Sequence, residues 1–329
     1  MPLKEKFKLK NSWTLLQKAF NAFWDDNALK MSASLAYYTI FAIAPLLLII
    51  VSLAGIIYGQ EAAQGKIFAE LNKFVGSDAA NQIQETIKNI SNNQDTSFAI
   101  IIGFITLFIG TTGVFVEIQD SINEIWRVKA KPKTGWKKLI TNRILSFSMV
   151  IGLGFLLIVS LVINGVVLAL SEKLQIYFPD LTILVINAFN LVLTFIVISA
   201  LFGIIFKFLP DVLIDWKDVR MGAFFTALLF MIGKFIIGLY IEKVGPGTTY
   251  GAAGSLIVIL IWVYYTSAIL FFGAEFTQVY ADCYGGKIRP APYAVHVVKV
   301  EKVVKVKVLP PQDHDKTYEG TDKEKEVPG

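Results

Sequence analysis

Residues Ser255 to Ala281 read SLIVILIWVYYTSAILFFGAEFTQVYA, a stretch in which Glu275 is the one charged side chain. A helix needs roughly 20 mostly apolar residues to cross the hydrocarbon of a bilayer, and this stretch is longer than that. Five more stretches of the same kind precede it: Met31 to Gly59, Phe98 to Val116, Ile144 to Leu170, Leu181 to Phe206 and Met221 to Ile241. Inside all six, or at their ends, the charged residues are Glu117, Lys234 and Glu275. The expected fold class is therefore an all-α membrane protein, a bundle of six transmembrane helices with peripheral amphipathic helices.

Charge sorts between the gaps by side. Of the 31 Lys and Arg residues, 25 fall in the N-terminal segment, the second and fourth gaps and the tail, against 5 in the first, third and fifth gaps. The positive-inside rule then puts both termini in the cytoplasm. The same asymmetry accounts for the net charge of +5 without a nucleic-acid partner, because 54% hydrophobic residues describe a chain whose solvent is mostly lipid. The first apolar run is too long for the core of a signal peptide and is expected to stay as helix one. A single cysteine, Cys283, allows no internal disulfide.

Three domains follow from this pattern. Residues 1–30 place Trp13, Leu16, Phe20, Phe23 and Trp24 at helical spacing beside Lys10 and Lys18, which suits an amphipathic helix in the inner headgroup layer. Residues 31–281 form the transmembrane domain, with an outer helical cap over about 60–97 carrying Ile67, Phe68, Leu71 and Phe74, then Ile83, Ile87 and Ile90. Past the second span the helical spacing runs on through Ile118, Ile122 and Ile125 to Trp126, then breaks into a basic loop. Residues 282–329 read as a cytoplasmic, mostly disordered tail in which Val303 to Val308 alternate in the manner of one edge strand.

Soluble-type chemistry is hard to build from these residues. The two histidines, His296 and His314, both lie in the tail, so no histidine cluster is available for a metal hydrolase. No phosphate-binding glycine loop, nucleophile elbow or zinc-protease motif occurs. The expectation is a protein without enzymatic activity, cofactor or bound metal.

Taken together, several motifs carry a resemblance. Ala36-Tyr37-Tyr38 with Phe41 and Pro45, Asn123 with Trp126, Leu209-Pro210 with Trp216, and Tyr250-Gly251-Ala252-Ala253-Gly254-Ser255 leading to Trp262, Tyr264 and Gly273-Ala274-Glu275 resemble the YihY/BrkB family of bacterial inner-membrane proteins. The likeness covers about residues 13 to 285. It implies six spans and a location in the bacterial cytoplasmic membrane, and transport has been suggested for some members. An old ribonuclease label on that family fails here on chemistry, since this chain has no histidine before residue 296 to hold a hydrolytic metal.

The leading functional reading is a transporter or lipid-handling permease with an intramembrane polar site. The alternative is a non-transporting membrane organiser that binds lipid or a partner through its cap and basic loops. Candidate substrate- or ion-binding residues are Lys234, Glu275, Glu117, Tyr37, Tyr38, Tyr250, Gly251 and Gly254, with Pro45 as a candidate hinge. Intramembrane charges are rare and usually face the bundle interior or water. Glu117 and Glu275 are expected near one depth at the inner boundary, sharing a cavity or else pairing with Lys207 or Arg143. Lys234 is expected to point inward to an anionic group or to the Gly245–Gly254 loop. Gly222 and Gly233 are expected at helix contacts. Membrane lipids and a small-molecule or ion substrate are the expected partners; oligomeric state is not legible.

Overall fold

A computed structural model describes residues 12–42, 113–131, 179–244 and 254–298. The chain divides into two compact units, Met1–Val297 and Val298–Gly329, and everything described except Val298 belongs to the first.

Each described helix ends for a local reason. Helix α1, Ser12–Asp25, stops at Asp26-Asn27, where Asn27 adopts the left-handed backbone (φ 56°) that asparagine tolerates, and α2 restarts over 28–42. Helix α3, 113–125, ends in a turn whose Arg127 is also left-handed (φ 55°), and strand β1, Val128–Ala130, follows at once. Helix α4, Pro179–Phe208, opens on a proline, whose missing N–H costs nothing at a first turn, and closes just ahead of Pro210, which disfavours helix at Leu209. Strand β2 is Val212–Leu213. Helix α5, Trp216–Val244, is started by Asp215, whose carbonyl accepts the Asp218 and Val219 amides at 3.0 and 3.1 Å. Helix α6 is Gly254–Tyr284; after it come β3, Arg289–Pro290, and β4, Ala294–His296.

Among the described residues three helices carry segments long and apolar enough to cross a membrane: Ala188–Phe208, Trp216–Tyr240 and Ile257–Tyr284. They match the last three spans expected from the sequence. Small residues mark the inner face of the second of them. On α5, Met221, Phe224, Leu228, Ile232, Phe235 and Leu239 are exposed along one side, while Gly222, Ala223, Thr226, Ala227 and Gly233 are buried on the other. Large apolar groups outside and small ones inside is the arrangement that lipid favours, because close backbone approach replaces the hydrophobic effect as the source of helix attraction.

The contact between α5 and α6 is reciprocal. A Cβ on Gly222 would overlap Thr277, and one on Gly273 would overlap Thr226. Each threonine folds its hydroxyl back to a carbonyl on its own helix, Thr226 to Gly222 at 2.7 Å and Thr277 to Gly273 at 2.6 Å, so neither buried hydroxyl is orphaned. Higher up, a Cβ on Gly233 would meet the Tyr265 ring. Gly238, by contrast, has open space around it, so close packing next to Lys234 is on the Gly233 side.

At the other end of these helices the loops are stitched together. β1 pairs antiparallel with β4, Val128 facing His296 and Ala130 facing Ala294, and β2 pairs antiparallel with β3, Val212 facing Pro290 and Leu213 facing Arg289. Residues 282–297, which composition assigned to the tail, therefore belong to the compact unit: α6 runs on to Tyr284, and the chain then returns to clamp the loops after α3 and α4. Ile122, Ile125, Trp126, Phe206, Leu209, Val219, Phe271 and Ala274 fill the core beneath this clamp.

Helix α1 packs on the last turns of α6, with Leu15, Ala19 and Phe23 buried and Phe276 and Tyr280 beneath them. Of the apolar row expected to face lipid, Phe23 thus faces protein, whereas Trp13, Phe20 and Trp24 lie along one exposed line. The third span (Ile144–Leu170), the cap at 60–97, Pro45, Tyr250, Gly251 and the Val303–Val308 alternation lie outside the described residues, as does most of the first two spans.

Candidate functional site

Three polar clusters gather at the clamped end. The first centres on Asp211, in the turn between α4 and β2 and 3% exposed. Gln119 Nε2 donates to Asp211 Oδ1 at 3.2 Å and Asn123 Nδ2 donates to Oδ2 at 3.0 Å. The Asp211 amide returns a bond to Asn123 Oδ1 at 2.8 Å, and its carbonyl accepts the Ala291 amide at 3.0 Å. Tyr293 adds its hydroxyl, and its pKa lies above the usual phenol value, first because burial disfavours the phenolate and then because Asp211 is negative and accepts its proton. Every strong hydrogen-bonding group of Asp211 is engaged. Such a knot fixes loops.

The second cluster is Asp218 in the first turn of α5, where a carboxylate suits the positive helix end. Its Oδ2 accepts the Gly286 amide at 2.9 Å. A Cβ on Gly285 would overlap the same carboxylate and one on Gly286 would overlap Asp215, so the exit from α6 needs both glycines.

In the third cluster the needs of the side chains are not met. Glu275 lies on α6 nine residues before its end, about 14 Å at 1.5 Å per residue, and is fully buried. Neither of its carboxylate oxygens meets a hydrogen-bond donor among the described residues. The charged groups that face it are Asp26, Arg127 and Asp25. Asp26, in the α1–α2 turn, is 3% exposed and takes Arg127 Nη2 on its Oδ1 at 2.6 Å. The other terminal nitrogen of Arg127, Nη1, is buried without a partner, although the side chain as a whole is 29% exposed.

Two left-handed residues set up this geometry. Asn27 turns the chain directly after Asp26, and Arg127 itself carries φ 55°, which costs an L-residue on the order of 1–2 kcal/mol. The Val297 amide holds the Arg127 carbonyl at 2.8 Å, and the Trp126 indole N–H reaches the Ala274 carbonyl, next to Glu275, at 3.0 Å. Strain held in place beside a buried carboxylate is the pattern found at working sites.

Several expectations are redirected. Glu275 faces Asp26 and Arg127, not Glu117, which is half-buried on α3 and is not among its charged neighbours. Lys207 donates to the Ile214 carbonyl and lies 5.7 Å from the centre of the Trp216 ring, so it does not pair with either glutamate; Arg143 lies outside the described residues. Trp126 is 3% exposed and belongs to the core. Tyr37 and Tyr38 are 61% and 42% exposed, with their rings edge-on to each other. Lys234 is half-buried midway along α5, and the loop suggested as its counterpart lies outside the described residues except for Gly254, which opens α6.

Asp26, Arg127, Asp211 and Asp218 were not singled out from sequence, because each sits in a gap between apolar runs, where a charge reads as solvated. The available hint was the Asp25-Asp26 pair standing directly between an amphipathic helix and the first apolar run.

Comparison with known proteins agrees with this picture. The family model described as virulence factor BrkB matches residues 19–296, from α1 to β4. The chain is 25% identical over 285 residues to a UPF0761 membrane protein of Rhodospirillum centenum, covering 85% of this chain and 60% of that protein. It is 26% identical over 279 residues to one of Tolumonas auensis, covering 82% and 87%, and 28% identical over 259 residues to one of Pseudomonas aeruginosa, covering 77% and 59%. It thus spans about three fifths of the length of two of these relatives and most of the third. No solved structure matches. The chain belongs to the YihY/BrkB family of membrane proteins.

Proposed function

We propose that this protein is a six-span transporter or permease of the bacterial cytoplasmic membrane, with both termini inside, moving an ion, a small solute or a lipid past an intramembrane polar site. The observation that carries the reading is Glu275: fully buried in a candidate span, with no donor on either oxygen among the described residues and a second buried carboxyl group, Asp26, near it. An acidic residue at a span centre costs roughly 2.5–3.5 kcal/mol on insertion scales, and a structural role would be expected to offset that with hydrogen bonds, as Asp211 does. Lys234, half-buried midway along α5, is the proposed second polar position along the path. The reading needs no catalytic residue, cofactor or metal.

The organiser alternative is favoured by a different observation. Trp13, Phe20 and Trp24 form an exposed aromatic line on α1, which suits a lipid surface or a partner.

The experiment that separates the two is reconstitution into liposomes. Charge movement is recorded on a solid-supported membrane for sodium, potassium, chloride and an amino-acid mixture, and lipid translocation is followed by dithionite bleaching of a fluorescent phospholipid. A transporter gives a signal with at least one probe, and Glu275→Gln abolishes it at equal incorporation. Absence of every signal from folded protein overturns the transport reading.

A further inference from the structure

We propose that Asp26 and Glu275 hold one proton between them, making the turn between α1 and α2 and the lower part of α6 a proton-binding site. If the protein transports, as proposed above, that proton is its coupling ion, and this last step alone rests on the transport reading.

The geometry leads there by elimination. Phe23, about one turn before Asp26, meets Phe272, about one turn before Glu275, with ring centres 5.7 Å apart, which brings the two acids, 3% and 0% exposed, to one contact, and a carboxylate only accepts hydrogen bonds. With both ionised, two acceptors would meet with no hydrogen between them, and two negative charges would share one guanidinium in a medium of low dielectric. Among the described residues the charged groups around Glu275 are Asp26 from the α1–α2 turn, Arg127 from the end of α3 and Asp25 from the end of α1, and Arg127 is the cation among them. A single proton resolves both problems. It turns the contact into an O–H···O hydrogen bond and leaves one negative charge opposite Arg127, so the Asp26–Glu275–Arg127 group becomes neutral.

Loss of the proton has a defined route and consequence. Arg127 is 29% exposed, so water reaches the cluster along its side chain. The proton leaves to that water and returns from it. Once it has left, the two carboxylates repel, and the load falls on the contact between the α1–α2 turn and α6. Arg127 Nη1, buried and without an acceptor among the described residues, has an N–H to donate to a newly freed carboxylate. Protonation thus selects which carboxyl group the guanidinium holds.

Infrared spectroscopy of the purified full-length protein in lipid nanodiscs tests this without any transport assay. At neutral pH the wild-type protein is expected to show a protonated-carboxyl C=O band that vanishes on alkalinisation. Both Glu275→Gln and Asp26→Asn are expected to lose it, since each leaves a lone carboxylate beside Arg127, whereas Glu117→Gln keeps it. Thermal unfolding of the same samples shows which variants are folded, and the wild-type spectrum decides the matter even if one is not. No such band in the wild type, or a band that survives both substitutions, overturns the proposal. A band without transport leaves the proton site standing and removes the transport reading; transport without a band does the reverse.

Discussion

Two buried acidic clusters lie at the same end of this bundle and are built on opposite terms. Asp211 receives Gln119, Asn123 and Tyr293 on its carboxylate and gives its own amide and carbonyl to Asn123 and Ala291. Glu275 receives nothing from a donor among the described residues and has another carboxyl group near it. Both carry the desolvation cost of burying an acid, but only the first offsets it with hydrogen bonds. The difference marks where the proposed function is to be tested: Asp211, fully satisfied, holds loops, whereas Glu275 lacks a donor on either oxygen among the described residues.

Breaking the Asp211 knot is expected to do the most damage. Asp211→Ala strips three donors of their acceptor and should cost about 3–4 kcal/mol, read as a fall in thermal midpoint and in membrane accumulation. Next comes the α5–α6 contact, where Gly222→Leu or Gly273→Leu forces the helices apart and is expected to cost roughly 1–3 kcal/mol by overpacking. A thermal midpoint unchanged by either glycine substitution would contradict the reciprocal packing. Trp126→Phe, which removes the indole bond to Ala274 but keeps most of the ring, is expected to cost about 1 kcal/mol.

The smallest expected effect sharpens the Asp211 side of the contrast. Because the Tyr293 pKa is raised in the fold, its contribution is fully present below the ordinary phenol value, near pH 10, and is lost as pH rises through the higher folded value. Alkaline unfolding curves should therefore decline above about pH 10, and Tyr293→Phe should flatten that decline. Identical alkaline curves for the two proteins would show that Tyr293 does not belong to the knot.

Much of the membrane fold was legible in the sequence because lipid demands a simple signal. Leu181 to Phe206, Met221 to Ile241 and Ser255 to Ala281 each return as a helix with a candidate span, shifted by a few residues at the ends. The clamp was not legible. β3 is Arg289–Pro290 and β4 is Ala294–His296, too short for any period to show, and their pairing partners lie at residues 212–213 and 128–130. Glu275 was visible as a charge within an apolar run, but its neighbours were not. Asp26 and Arg127 come from distant turns, and the left-handed backbones at Asn27 and Arg127 that bring them in carry no glycine to announce them. Pairing Glu275 with Glu117 followed from equal depth, and depth does not fix which face of a helix a side chain occupies.

The contrast between the two acids rests most directly on one measurement: thermal unfolding of Asp211→Asn and Glu275→Gln beside the wild type, in the same lipid or detergent at neutral pH. Both substitutions remove one charge and keep the shape. The account predicts that Asp211→Asn melts well below the wild type, since an amide nitrogen replaces an acceptor that its donors need, while Glu275→Gln melts at or above the wild type, since its amide can donate to Asp26 in place of the shared proton. A Glu275→Gln protein that melts as low as Asp211→Asn would contradict it and return Glu275 to the structural core.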